Sequence, residues 1–199
     1  MLEALLRLIF RPRTERDVKP VQRNVPQATD VSETPQIITE TLVIKNKPPK
    51  VKDMFLRKSK RNIHTLFVHS TATKRARKVT RKDLYQWHVK ERGWSDIGYH
   101  GMIHRDGTFQ SLRSIDKDGA HAYRHNRNTI GVVMVGGLSD SHSPEANFTR
   151  AQFRTLKKVI AEQQGYYEGL KIKGHRDVGN TACPSFDVQG WMKTGEVNA

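Results

Sequence analysis

The sequence predicts one α/β (α+β) domain, a central mixed β-sheet flanked by helices, behind a proline-rich N-terminal extension. Three observations predict it. Thr129 to Val135 is a near-continuous apolar run, as expected of a central strand covered on both faces. Leu66-Phe67-Val68 is a second short apolar run, closed by His69 and the loop-forming Ser70, Thr71 and Ala72. Two capping boxes, Thr80 with Asp83 and Thr149 with Gln152, each open a stretch with apolar residues at helical spacing. Strands and helices alternate along the chain, so one sheet must serve them all.

A length of 199 residues suits one domain plus an extension. Residues 1–50 hold Pro12, Pro20, Pro26, Pro35, Pro48 and Pro49, six of the eight prolines, among mostly polar residues. This is linker composition with a short amphipathic start at Met1 to Phe10, and only Ile37 to Ile44 offers a strand. The compact domain is expected over residues 51–199. Its first helix begins after Thr80, carries Leu84, Trp87 and His88 on one face, and ends at Gly93. Tyr99 and His100 open a strand, and Arg105-Asp106-Gly107 reads as a hairpin turn leading to the next. Gly119 to Asn126 is a turn-rich loop. Gly136 and Gly137 stop the central strand. The second helix carries Phe153, Leu156, Val159 and Ile160 as one stripe, with Gly165 expected to close it, and Leu170 to Lys173 forms a last short strand.

The net charge of +15 favours polyanions such as nucleic acid, anionic lipid or an acidic cell envelope. Aromatic residues do not interleave with the basic run Lys74 to Lys82 and no nucleic-acid motif contains it, which argues against sequence-specific nucleic-acid binding. A single cysteine makes no internal disulfide. No run approaches the roughly 20 apolar residues of a membrane-spanning helix. Arg11 and Arg13 follow the apolar start instead of preceding it, so a secretory signal is not expected.

The chemistry concentrates in Gly174 to Asp187. Cys183 is followed by Pro184, which keeps it out of a helix and in a stiff turn, and His175 lies eight residues upstream. Thiolate and imidazole are good zinc ligands, and His69 at the end of its strand is the candidate third. Two histidines and one cysteine leave a fourth position open, the catalytic rather than the structural pattern. Taken singly, a lone cysteine such as Cys183 is most often a small buried hydrophobe, and a strand-ending histidine such as His69 is more often a satisfied polar group.

Phe67-Val68-His69-Ser70, Gly93 to His100, Ile103-His104-Arg105-Asp106-Gly107, Ile130 to Gly137 and Gly174 to Pro184 occur in an order and spacing that resemble zinc-dependent N-acetylmuramoyl-L-alanine amidases. This superfamily includes the peptidoglycan recognition proteins, and the pattern is most similar to the small amidase endolysins of podophages. The resemblance covers residues 51–194. It implies one zinc ion per chain on His69, His175 and Cys183. It implies hydrolysis of the amide between N-acetylmuramic acid and L-alanine of the stem peptide in bacterial peptidoglycan. Tyr99 matches the residue that helps polarise this amide, and Thr181 stands where members carry Lys or Thr. His121 matches a loop position near the glycan or peptide. His64, His88, His104, His125 and His142 are read as surface or packing residues.

The expected role is host-cell lysis by a phage-encoded monomer, held in the host cytoplasm until release to the periplasm and cell wall. Three alternatives stand beside it. One is a zinc-containing module that binds peptidoglycan without cutting it, against which the retained Cys183 argues. Another is a virion-associated amidase used at entry. The third is a regulator that also binds and inhibits phage RNA polymerase. The basic, amphipathic arm suggests contact with an anionic envelope or membrane.

Overall fold

The computed structural model of the protein describes residues 55–197. The expected domain boundary near residue 51, the amphipathic start and the strand at Ile37 to Ile44 lie outside the described residues.

Among the described residues, seven strands and three α-helices follow in order. They are β1 (Thr65–Ser70), β2 (Thr73–Lys74), α1 (Arg81–Tyr85), β3 (Gly101–Ile103), β4 (Phe109–Ser111), β5 (Thr129–Met134), β6 (Gly137–Leu138), α2 (Arg150–Tyr166), β7 (Lys171–Gly174) and α3 (Val188–Thr194). Five strands make the main sheet in the order β4-β3-β5-β1-β7. The β3, β5, β1 and β7 pairings are parallel and only β3 with β4 is antiparallel, so the sheet is mixed as expected. Every residue of β1 and β5 is buried, because layers cover both faces of the sheet.

One face carries α2 and α3. Leu156, Val159 and Ile160 of α2 pack on Leu66, Val68, Ile130 and Val132. Each such side chain contributes about 1.5–3 kcal/mol by leaving water. Trp191 of α3 closes this core against Phe153 and Phe186. The opposite face sets Met102, Val133 and Val135 against Val79, Leu84 and Ile97. The functional residues lie on this second face, where β1 presents Phe67 and His69 beside the loops before β3 and β5.

Both expected capping boxes form. The Thr149 box does more than start α2. Gln152 is fully buried, and its amide donates to the carbonyls of Ile103 and Val135 at 3.2 and 3.0 Å, tying the helix to the ends of β3 and β5. Arg105-Asp106-Gly107 makes the β3–β4 turn, with Gly107 at φ +90°.

Four features differ from the sequence expectation. Gly165 does not close α2, which continues to Tyr166. Glycine costs about 1 kcal/mol in a helix, and tertiary bonds outweigh that here. Glu162 accepts from the Phe55 and Leu56 amides, Gln163 donates to the Leu56 carbonyl, and the Tyr167 hydroxyl accepts from Ser59. The turn comes instead at Gly169, with φ +69°. The first helix is α-helical only to Tyr85 and then widens into a π-helical turn, Gln86–Glu91. Tyr99 and His100 precede β3 instead of opening it, although His100 already donates to the Gly131 carbonyl at 2.8 Å. Finally α3 and the two-residue β2–β6 pair were not expected, being too short to show a period.

Candidate active site

Register across the sheet brings the first two site residues together. Val68 of β1 pairs with Gly174, the last residue of β7, so His69 of β1 and His175, just past the end of β7, stand side by side. Their rings are 4.8 Å apart. A loop then returns Cys183 to the same end of β1. The Cys183 carbonyl accepts from Arg176 N–H at 2.7 Å, and its Sγ accepts from Ser70 N–H at 3.2 Å. Gly174 makes this closure possible, since a Cβ there would lie 3.0 Å from Pro184. Cys183 sits in a turn, as its proline neighbour predicts.

One donor atom from each of His69, His175 and Cys183 lies within 4.8 Å of the other two. His69 is fully buried, while His175 and Cys183 are half-buried, so the cluster opens to solvent on their side. Two imidazoles and one thiol are a donor set that suits zinc. Burial holds both His69 and His175 below the ordinary histidine range, so each presents a lone pair. Burial pushes the Cys183 thiol up, and the Ser70 N–H and hydroxyl pull the other way by donating to sulfur. These residues fit the ion.

Tyr99 faces the cluster, its ring 5.1 Å from that of His69. Burial raises its pKa, and the neighbouring Cys183 raises it further, so the phenol keeps its proton. No described residue hydrogen-bonds its hydroxyl, which is therefore unspent. Thr181 is exposed at the rim, and its hydroxyl oxygen accepts from the Cys183 N–H at 3.2 Å. His121 is only 7% exposed and lies behind His69, with its Nδ1 3.1 Å from His69 Nε2.

Residues 59–186 match the protein family described as N-acetylmuramoyl-L-alanine amidase. The chain belongs to that family. Among its relatives is the endolysin of Enterobacteria phage K11, 47% identical over 131 residues, covering 66% of this chain and 86% of the relative. The endolysin of Escherichia phage T7 is 41% identical over 140 residues, covering 70% and 92%. Among solved structures, the endolysin amidase LysCS of Clostridium intestinale superposes with a TM-score of 0.54 at 29% identity, covering 62% of this chain and 76% of that one. The chain is therefore an amidase of peptidoglycan, and its mixed α/β fold agrees with that membership. Among the described residues, no helix is long and apolar enough to cross a membrane.

Two further buried histidines hold loops around the cluster in place. His100 is fully buried; its Nδ1 accepts from Gly131 N–H at 3.0 Å and its Nε2 lies 2.9 Å from the Lys117 carbonyl. It thereby pins the loop that carries His121 to the central strand. His88, read as a packing residue, is buried in the π-helical turn, and its Nδ1 accepts from Gly98 N–H beside Tyr99. Nothing in linear spacing marks either role, because each partner lies on a different element. His64 is exposed and His104 half-buried.

Proposed function

We propose that the chain is a zinc-dependent endolysin that hydrolyses the amide between the lactyl group of N-acetylmuramic acid and L-alanine, for lysis of the host cell. The observation that carries this reading is the convergence of His69, His175 and Cys183 at a solvent-facing end of β1, in a chain of amidase family membership. His69, His175 and Cys183 would hold one zinc ion, which when bound acidifies a water molecule and acts as a Lewis acid toward a carbonyl.

The chain's own residues do the rest. Tyr99, protonated and without a described partner, donates to the amide oxygen as charge develops there. Thr181, held beside Cys183, offers a second hydroxyl at the rim. Where family members carry lysine, threonine brings no fixed charge, so Tyr99 bears more of the oxyanion stabilisation in this chain. Hydrolysis breaks the C–N bond; water gives its hydroxyl to the lactyl carbonyl carbon and a proton to the departing alanine amine. Relatives called endolysins support the lytic role.

Digestion of purified peptidoglycan followed by mass spectrometry tests the reading. The expected products are free stem peptides with an N-terminal alanine and intact glycan strands. Cleavage between sugars, or within the stem peptide, would overturn it.

A further inference from the structure

His69 has two ring nitrogens with two different neighbours, and that asymmetry has a use. Nδ1 lies 3.7 Å from Cys183 Sγ, while Nε2 lies 3.1 Å from His121 Nδ1. A neutral imidazole carries one proton, and which nitrogen keeps it decides which lone pair faces the cluster. We propose that His121 is a positioning residue: it accepts the His69 Nε2–H at its own Nδ1 and so commits His69 Nδ1 to the metal. The inference rests on the zinc reading above and deepens it.

The proton arrangement follows from the distances. If His121 accepts at Nδ1, its own proton sits on Nε2, 3.4 Å from Thr129 Oγ1. That hydroxyl remains free to donate to the His125 carbonyl at 2.8 Å or the Asn126 carbonyl at 3.0 Å. Every donor then has an acceptor. In the reverse arrangement His121 donates to His69, whose proton moves to Nδ1 and points at the cysteine sulfur. Thr129 would then have to abandon its two short carbonyl contacts to donate across 3.4 Å to His121. The shorter bonds select the first arrangement, which is the one that leaves a ligand lone pair in the cluster.

The place of the ring is also built by the chain. A Cβ at Gly119 would come within 2.3 Å of the His121 ring, and one at Gly131 within 2.5 Å. Two glycines thus clear a slot for it between the loop and the central strand. The backbone N–H groups of His121 and Ala122 both donate to Asn126 Oδ1, at 2.8 and 2.9 Å, which fixes the loop's position. Buried polar groups aimed at the far nitrogen of a metal-binding histidine set its orientation and basicity, and their loss typically weakens metal binding roughly 10- to 100-fold.

The test compares the parent with His121→Leu, which removes the acceptor, and His121→Gln, which restores a polar side chain. Zinc affinity is measured by competition with a chromophoric chelator, and folding of the metal-free proteins by circular dichroism. The expected result is a roughly 10- to 100-fold weaker affinity in His121→Leu, with part of the loss recovered in His121→Gln. A His121→Leu protein that folds and binds zinc within about twofold of the parent overturns the inference while leaving the zinc reading intact; equal losses in both variants overturn it too. Nitrogen-15 correlation spectra of the zinc-loaded parent decide the matter without any variant. They should show His69 bound through Nδ1 with a slowly exchanging Nε2 proton, and binding through Nε2 refutes the proposal. A parent that takes up no zinc refutes the metal reading and this inference together.

Discussion

Tyr99→Phe removes one oxygen from the site and little else. The Tyr99 ring packs 5.1 Å from His69 and 5.4 Å from His88, and phenylalanine keeps both contacts. Its hydroxyl has no hydrogen-bond partner among the described residues, so deleting it strands no donor or acceptor. The cost to folding should therefore stay within about 0.5 kcal/mol, as for substitutions that leave no cavity or orphaned group. Catalysis should respond differently. A preorganised donor to developing negative charge is worth about 3 kcal/mol, or about a hundredfold in rate. Because burial keeps the phenol protonated, this loss should appear across the whole working pH range. The assay is steady-state turnover of a soluble muropeptide, with zinc content and thermal unfolding measured on the same preparation. Turnover at the parent rate, with zinc retained, would show that the Tyr99 hydroxyl takes no part and would leave Thr181 as the only side-chain donor proposed here.

Two further outcomes follow from the fold. Burial pushes His88 and His100 down to about 4 from an ordinary value of 6.5. Both states are neutral above 6.5, where the contribution to stability is fully present; as pH falls from there through 4, the unfolded chain takes up protons that the folded one refuses. Chelator-treated protein should lose stability across that window in denaturant melts, and a flat profile would contradict the buried neutral assignment. Gln152→Leu removes the reciprocal cap of α2 and one hydrogen bond to each of the Ile103 and Val135 carbonyls, which keep only the Val135 N–H and Arg105 Nη1 as donors, and this should cost about 2–4 kcal/mol. Chemical denaturation measures it, and a loss below about 1 kcal/mol would show that the buried amide is not the tie described.

Much of the sheet was legible because β1 and β5 are buried on both faces and so appear as apolar runs, and both long-range helix starts announce themselves through Thr80 and Thr149. The zinc candidates could be named because the chain has one cysteine, a histidine eight residues before it at position 175, and a histidine that ends an apolar strand. Their adjacency could not be read, since it depends on Val68 pairing with Gly174 across more than a hundred residues. The inward turn of His121 could not be read either. The resemblance places His121 on a loop near the glycan or peptide, and the space that takes its ring inward depends on the glycines at 119 and 131, which only the folded chain brings together. Gly165 misled because a local breaker signal yielded to the hydrogen bonds of Glu162, Gln163 and Tyr167 with the segment Phe55 to Ser59.

Metal content, measured by plasma mass spectrometry, tests the centre of the account most directly. The parent should carry one zinc per chain and lose its amidase activity when a strong chelator removes that ion. Cys183→Ser replaces the thiol with a poor zinc ligand and should bring metal content well below the parent under the same dialysis. A Cys183→Ser protein that retains a full zinc equivalent would contradict the His69, His175 and Cys183 site.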